Sequence, residues 1–293
     1  MDKKILYISF LILILAGFWV GFIYRENILG LYHNAAKNVE QFKKTDLGNT
    51  INEFTKEIFA PGPLKIGGQE NSVVLTKAKI IAQTNIQRYD NGSLPPLIEN
   101  AKLNAAALAK ANDIFKRQYF EHVSPSGVGP GDLVLSFGYE YIVSGENLIL
   151  GNFKDEAEVV GKWMASPGHR ANILNNRFTE IGVAIIKGTY QNQTVWVGVQ
   201  EFGLPLSSCA QPSETEKAEI ENNKIQLDAM ALQIDAKRAE INNTNPRSQE
   251  YNQKVDEYNA LVNQYNQLNQ ITKNLIIHFN NQVNDFNNCV AGR

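Results

Sequence analysis

The chain has 293 residues, of which 43% are hydrophobic and 20% charged, enough apolar material for a packed core and too much for disorder throughout. Its 28 basic and 30 acidic side chains give a net charge of −2, which excludes a broad basic field and with it nucleic acid as the expected partner. Two cysteines, with no CxxC pair, exclude both a disulfide-stapled miniprotein and a zinc ribbon.

Taken in chain order, the first element is ILYISFLILILAGFWVGFIY at 5–24, uncharged and interrupted only by the hydroxyl of Ser9. At the helical rise it spans about 30 Å, the thickness of the hydrocarbon layer. The stretch after Ala16 is bulky where a signal-peptide cleavage site needs small residues, so residues 1–24 read as an uncleaved transmembrane signal anchor. Lysines at 3 and 4 precede the span and Arg25, Lys37, Lys43 and Lys44 follow it, so charge alone leaves its orientation open. Residues 25–72 read as a helical stalk and linker. Ile28, Leu31, Tyr32, Ala35 and Val39, then Leu47, Ile51, Phe54 and Ile58, repeat at helical spacing, and Pro61, Pro63 and paired glycines break the pattern.

From Val73 to Leu204 the texture is that of one globular α+β domain. A first helix carries Leu75, Ala78, Ile81, Ala82 and Ile86 on one face, and Asp90-Asn91-Gly92-Ser93 stops it. An alanine-rich second helix, 100–120, presents Leu103, Ala107, Ala111 and Phe115, and a third is expected over 155–166. The apolar runs 181–186 and 194–202 flank the polar turn Gly188–Asn192, a hairpin signature. Helices around an antiparallel sheet are therefore expected.

The groups able to do chemistry fall in four short pieces: His122-Val123-Ser124-Pro125, Gly145-Glu146-Asn147-Leu148, Trp163-Met164-Ala165-Ser166, and Pro167-Gly168-His169-Arg170-Ala171-Asn172-Ile173-Leu174. Together, over residues 73–204, they resemble the CAP superfamily (cysteine-rich secretory proteins, antigen 5 and pathogenesis-related proteins), in its bacterial SCP-like extracellular branch. The resemblance implies an α-β-α sandwich with a cleft that holds two histidines and two acidic residues. By motif, His122 and His169 are the histidines and Glu146 is one acid. The second acidic position, three after Trp163, is occupied here by Ser166, so three of the four groups are present.

Two imidazoles meeting in a cleft can ligate zinc or another divalent cation, with water and Glu146 completing the shell. The residues at 122 and 169 lie 47 positions apart, so only the resemblance brings them together. Hydrolysis is the other chemistry, with Ser124 or Ser166 as nucleophile, a histidine as base and Glu146 orienting it. Against this, no G-x-S-x-G elbow is present, and serines beside proline commonly cap turns and helices. Asn147 and Asn172 are expected to tie loops to backbone, and Trp163, Ile173 and Leu174 to sit in the core.

Beyond Gly203 the composition turns to Asn, Gln, Lys and Glu with spaced apolar residues. Ile220, Leu227, Ile234 and Ile241 recur every seven, with Ile225 and Leu232 on an adjacent stripe, until Pro246 ends the helix. A second helix runs from Tyr251 to Phe286 in an unbroken 4-3 series in which only Asn269 and Thr272 are polar. Residues 209–289 thus read as an antiparallel helical hairpin or coiled coil. Cys209 lies just before it and Cys289 just after, and folding at 243–246 brings them together as a disulfide. Such a bond belongs outside a reducing cytosol, which orients the anchor with the bulk of the chain extracytoplasmic.

Three functions remain open on this reading: a binding module whose cleft engages a small ligand, lipid, peptide or divalent metal; an envelope hydrolase; and a structural or adhesion scaffold. The expected partners are the membrane through residues 5–24, an envelope ligand, and a second copy through residues 210–288.

Overall fold

A computed structural model describes residue 51 and residues 54–292. The expected anchor at 5–24 and most of the expected stalk lie outside the described residues. Among those described, no helix is long and apolar enough to cross a membrane. The described residues divide into two units, one of residues 54–210 with 287–292 and the other of residue 51 with 211–286.

The first unit is organised by three long strands, β4 (Tyr141–Gly151), β5 (Glu180–Tyr190) and β6 (Gln193–Pro205). They pair antiparallel in the order β4-β6-β5. The β5–β6 turn is tighter than the sequence suggests, because Gln191 and Asn192, both at positive φ, make a two-residue connection of the kind hairpin twist favours. Pairing therefore extends through Gly188 and Thr189, which were expected in the turn. Short parallel strands complete the sheet, with β1 (Glu57–Phe59) and β2 (Leu64–Lys65) on the free edge of β4 and β3 (Ile98–Glu99) on β5.

The first of these corrects the helical spacing expected up to Ile58: residues 57–59 are strand, and with the expected linker they form an extended strap, residues 57–65, along the sheet. The helical spacing of Phe54 and Ile58 loses to the edge of β4, which offers unpaired main-chain groups, and to Pro61 and Pro63, which hold the strap extended.

Alternation along the strands sends side chains to two helical layers. Ala184, Val197, Val199, Leu148 and Leu150 pack against Ala107, Ala111 and Ile114 of α2 (Ala101–Arg117). Small residues let this helix approach closely, and a Cβ at Gly182 would lie 2.1 Å from the carbonyl carbon of Leu103. On the opposite face, Gly198 leaves room for Trp163 of α4 (Glu156–Ala165), which is fully buried. That face also carries α1 (Lys77–Asp90) and α5 (Pro167–Ile173), while α3 (Pro130–Ser136) packs Val134 against Leu103, Tyr139 and Tyr141. Asn100 and Asp155 cap α2 and α4, accepting from main-chain N–H groups of their first turns, each worth about 1 kcal/mol.

The buried face of α1 departs from expectation. Ile80, Ile81, Thr84 and Arg88 point inward, whereas Ala78, Ala82 and Ile86 are exposed. Polar residues win these positions because each finds a partner. Arg88 donates to the carbonyls of Pro95, Ile173 and Asn175, and Thr84 accepts from Gln200 on β6.

The second unit contains α6 (Glu214–Asn242) and α7 (Gln249–Val290). The heptad series Ile220, Leu227, Ile234 and Ile241 is buried with Tyr258, Val262, Tyr265, Ile276, Phe279 and Val283. Contacts Glu216–His278, Lys237–Glu257 and Ser213–Gln282 set the helices antiparallel. Ile225 and Leu232, 68% and 73% exposed, form a separate apolar stripe that the pair does not cover. Cys289 lies inside the last turn of α7 rather than beyond it, and it is bonded to Cys209 across 80 residues with 5.8 Å between Cα atoms.

Candidate functional site

The piece Gly145-Glu146-Asn147-Leu148, whose asparagine was expected in a loop, lies in the middle of β4, where all eleven residues are buried. Successive side chains therefore point to opposite faces: Glu146 toward the α2 layer, Asn147 toward α5.

On the α2 side, Glu146 and Glu201 stand directly opposite each other across β4 and β6, both fully buried. Burial pushes the Glu201 carboxyl well above its ordinary value, and the neighbouring Glu146 carboxyl pushes it further. Lys110 of α2 opposes that shift from 3% exposure, while its own ammonium is held below its usual range by burial. Lys110 Nζ donates to the carbonyls of Glu121 and His122, at 2.8 and 2.5 Å, which fixes the loop that delivers His122.

His122 Nδ1 meets Glu146 Oε1 at 2.5 Å, and its Nε2 donates to the carbonyl of Pro61, also at 2.5 Å. A carbonyl only accepts, so Nε2 bears hydrogen, and one further proton is shared between Nδ1 and Oε1.

The second histidine forms a different pair. His169, 1% exposed in α5, has Nδ1 at 2.8 Å from Ser166 Oγ, and its buried Nε2 has no hydrogen-bond partner. Burial lowers its pKa to about 4, helped by the nearby His122 and opposed by the Leu148 main chain, so the ring is neutral at pH 7. Asn147 and Asn172 knit the two sides. Asn147 Nδ2 donates to the His169 carbonyl and to Gln200, and Asn172 Nδ2 donates to Asn147 Oδ1, the Glu146 carbonyl and the Phe59 carbonyl.

His122, Glu146, His169, Asn147 and Asn172 thus converge. The expected triad does not assemble, because the imidazole beside Ser166 is not the one that Glu146 orients. Ser124 stands apart, its Oγ accepting from Val128 N–H in a turn, as expected of a serine beside proline. Ser166 occupies the N-cap position of α5 but turns its hydroxyl to His169 instead of capping.

As a metal centre the donor set does not fit in this arrangement. Both nitrogens of His122 are engaged, leaving His169 Nε2 alone, and no group of three or more His, Cys, Asp or Glu arranged around a cation occurs among the described residues. Glu201 and Lys110 were missed in the sequence. The signal was present: Val197, Val199 and Glu201 alternate onto one inward face, so the acid sits where an apolar residue is due.

An α+β domain with helices on both faces of its sheet, and a buried histidine–carboxyl cleft built from H-x-S-P, G-E-N and S-P-G-H pieces, defines a class. Residues 82–200 match the model of the Cysteine-rich secretory protein family, CAP. That match falls within the central domain, whose relatives include bacterial proteins.

Over 132 residues it is 40% identical to the uncharacterized protein YkwD of Bacillus subtilis, an alignment covering 45% of this chain and 48% of YkwD. Over 115 residues it is 28% identical to the uncharacterized membrane protein YlbC of the same organism, covering 39% and 33%. The chain therefore spans about half or less of the length of these relatives. Among solved structures, it is similar to an extracellular protein containing a SCP domain from Bacillus anthracis, at 27% identity and TM-score 0.37, with 45% of each chain covered. It is also similar to an outer surface protein from Borrelia burgdorferi, at 20% identity and TM-score 0.36, covering 44% of this chain and 91% of that one.

Proposed function

We propose that the chain is a membrane-anchored, extracytoplasmic binding module whose CAP cleft holds its ligand by directional hydrogen bonds from His122 and Asn172. The observation that carries this reading is the pair of donors that meet main-chain carbonyls in the cleft. His122, held at Nδ1 by Glu146 Oε1, donates from Nε2 to the Pro61 carbonyl, and Asn172 Nδ2 donates to that of Phe59. Such donors suit recognition. The disulfide supports an oxidising compartment, and residues 5–24 supply the anchor. Self-association through residues 210–288, using the stripe of Ile225 and Leu232, completes the reading.

The test is native mass spectrometry of the full chain purified in mild detergent, wild type against His122→Gln. A co-purifying molecule lost from the variant supports a ligand-binding cleft. Identical occupancy in both proteins rejects it.

The Ser166–His169 contact favours a second reading, hydrolysis. A neutral imidazole can take a serine proton, although a pKa near 4 makes it a weak base and no carboxylate orients it. A serine-directed fluorophosphonate that labels Ser166 in wild type but not in His169→Asn would establish this chemistry, and unlabelled Ser166 rejects it.

A further inference from the structure

Residues 57–66 run along the free edge of β4 and pass over the cleft. Glu57, Ile58 and Phe59 pair with Val143, Ser144 and Gly145, and Leu64 and Lys65 pair with Ile149 and Leu150. Pairing resumes at Ile66, whose N–H donates to the Leu150 carbonyl. Between these two ladders, Ala60-Pro61-Gly62-Pro63 arches across Glu146, Asn147 and Leu148, the stretch of β4 that carries the site. There the strand edge hands over to side chains. Asn172 Nδ2 donates to the Phe59 carbonyl at 3.1 Å, and His122 Nε2 donates to the Pro61 carbonyl.

The cleft is shaped to this segment. A Cβ at Gly168 would lie 2.6 Å from Pro61 Cβ, so this glycine of the P-G-H piece clears the path of the strap. One at Gly145 would lie 2.7 Å from the Phe178 ring and 3.2 Å from the Phe59 carbonyl, so the glycine of the G-E-N piece makes room chiefly for the ring against which Phe59 packs. The Phe59 ring meets Phe178 edge-on at 6.2 Å. The strap nonetheless contributes little to the core: Ile58 and Phe59 are 46% and 38% exposed, and no strap residue is fully buried.

These are the features of a bound extended peptide more than of an integral strand. Main-chain hydrogen bonds along a sheet edge are combined with a few side-chain seats, the arrangement of β-strand addition. The two prolines fit because they bring no N–H into a stretch where the site supplies donors.

We infer that the cleft of this protein is a receptor for an extended, proline-containing peptide running parallel to β4, and that residues 57–66 are its internal occupant. The inference rests on the binding reading above and specifies the ligand class. A partner peptide with a carbonyl-presenting Phe-Ala-Pro-Gly-Pro-like stretch takes the place of the strap once the strap is displaced, with carbonyls two residues apart on Asn172 and His122. In the closed state the strap withholds both donors, so the same contact regulates the site.

The test inserts a specific protease sequence between the exposed residues Gln69 and Glu70 of the full chain, which cuts the strap free without altering the cleft. The probe is a fluorescent peptide with the sequence of residues 56–67. Uncut protein is expected to bind it at least about tenfold more weakly than cut protein, and excess unlabelled peptide should release the strap fragment from the cut protein. Removing one charge-assisted or buried donor by His122→Gln should weaken the probe about tenfold. A probe carrying Phe59→Ala and Pro61→Ala should also bind more weakly, a comparison that needs no protein variant.

The inference is overturned if the cut protein loses its circular dichroism, if the strap fragment cannot be exchanged, or if the altered probe or His122→Gln leaves affinity unchanged. Should the cut protein refuse the peptide yet lose another bound molecule on His122→Gln, the binding reading stands and the peptide ligand falls.

Discussion

Neutral, buried His169 makes the domain sensitive to acid over a definite window. In the unfolded chain its imidazole titrates near 6.5, and in the folded protein near 4. Above pH 6.5 neither state binds the proton and the group costs nothing. As pH falls from 6.5 to 4 the unfolded chain takes up a proton that the native state refuses, so stability is lost through that interval and levels off below it. A gap of about 2.5 pKa units corresponds to about 3 kcal/mol at 1.36 kcal/mol per unit, a large part of what a domain of this size possesses. His169→Asn removes the titration while leaving an amide near the position of Nδ1 to meet Ser166 Oγ. Urea unfolding of both proteins at intervals between pH 7.5 and 4 should show wild type losing about 3 kcal/mol more than the variant, with the difference opening below pH 6.5. His122 is present in both proteins and cancels in the comparison. Parallel stability curves, or an NMR titration of His169 with a midpoint near 6.5, would refute the argument that burial keeps this ring neutral.

Glu201 gives the opposite pH dependence, because its folded pKa is raised: the unfolded carboxyl releases its proton near 4.5 while the native one keeps it, so stability falls as pH climbs above that value. Glu201→Gln abolishes the slope, so the variant should gain on wild type as pH rises above about 4.5 in the same unfolding assay; matching profiles would refute the raised value. Reducing the Cys209–Cys289 bond, or replacing both cysteines by serine, frees a loop of 80 residues and should cost up to about 4.5 kcal/mol in the chain-entropy model, read as a fall in urea midpoint. Ile225→Lys with Leu232→Lys, both on the exposed stripe of α6, should leave helicity intact and lower the hydrodynamic mass of the full chain if that stripe joins two copies; an unchanged mass argues against it.

What the sequence disclosed follows the kind of signal each element carries. The second helix and the two long C-terminal helices were legible because their inward positions are apolar and evenly spaced, as with Leu103, Ala107 and Ala111 or Ile220 to Ile241. The first helix was misphased because Thr84 and Arg88 are buried polar residues, and only tertiary partners such as Gln200 and the Ile173 carbonyl make that burial tolerable. His122, Glu146 and His169 were found through their motifs, yet the division into His122–Glu146 and Ser166–His169 could not be, since it depends on which face of β4 each neighbour occupies. The start of the strap was read as helix because Ile58 closes a run of apolar residues at helical spacing, and nothing local to residues 57–65 announces the open edge of a strand that begins about eighty positions later.

That division also decides between the chemistries the four motif pieces allow. A serine hydrolase needs nucleophile, base and acid in one line, and here the Glu146 carboxyl meets His122, while Ser166 meets His169. The serine is left with a ring whose far nitrogen is buried and unpartnered. A chelating site needs two nitrogens free to turn toward one point, and His122 offers neither while it holds Glu146 and the Pro61 carbonyl. What the cleft presents toward the strap is a pair of donors that face main-chain carbonyls. Both, His122 Nε2 and Asn172 Nδ2, are already satisfied by the chain's own strap, so the affinity of any competing ligand is set by how firmly Phe59 and Pro61 hold their seats.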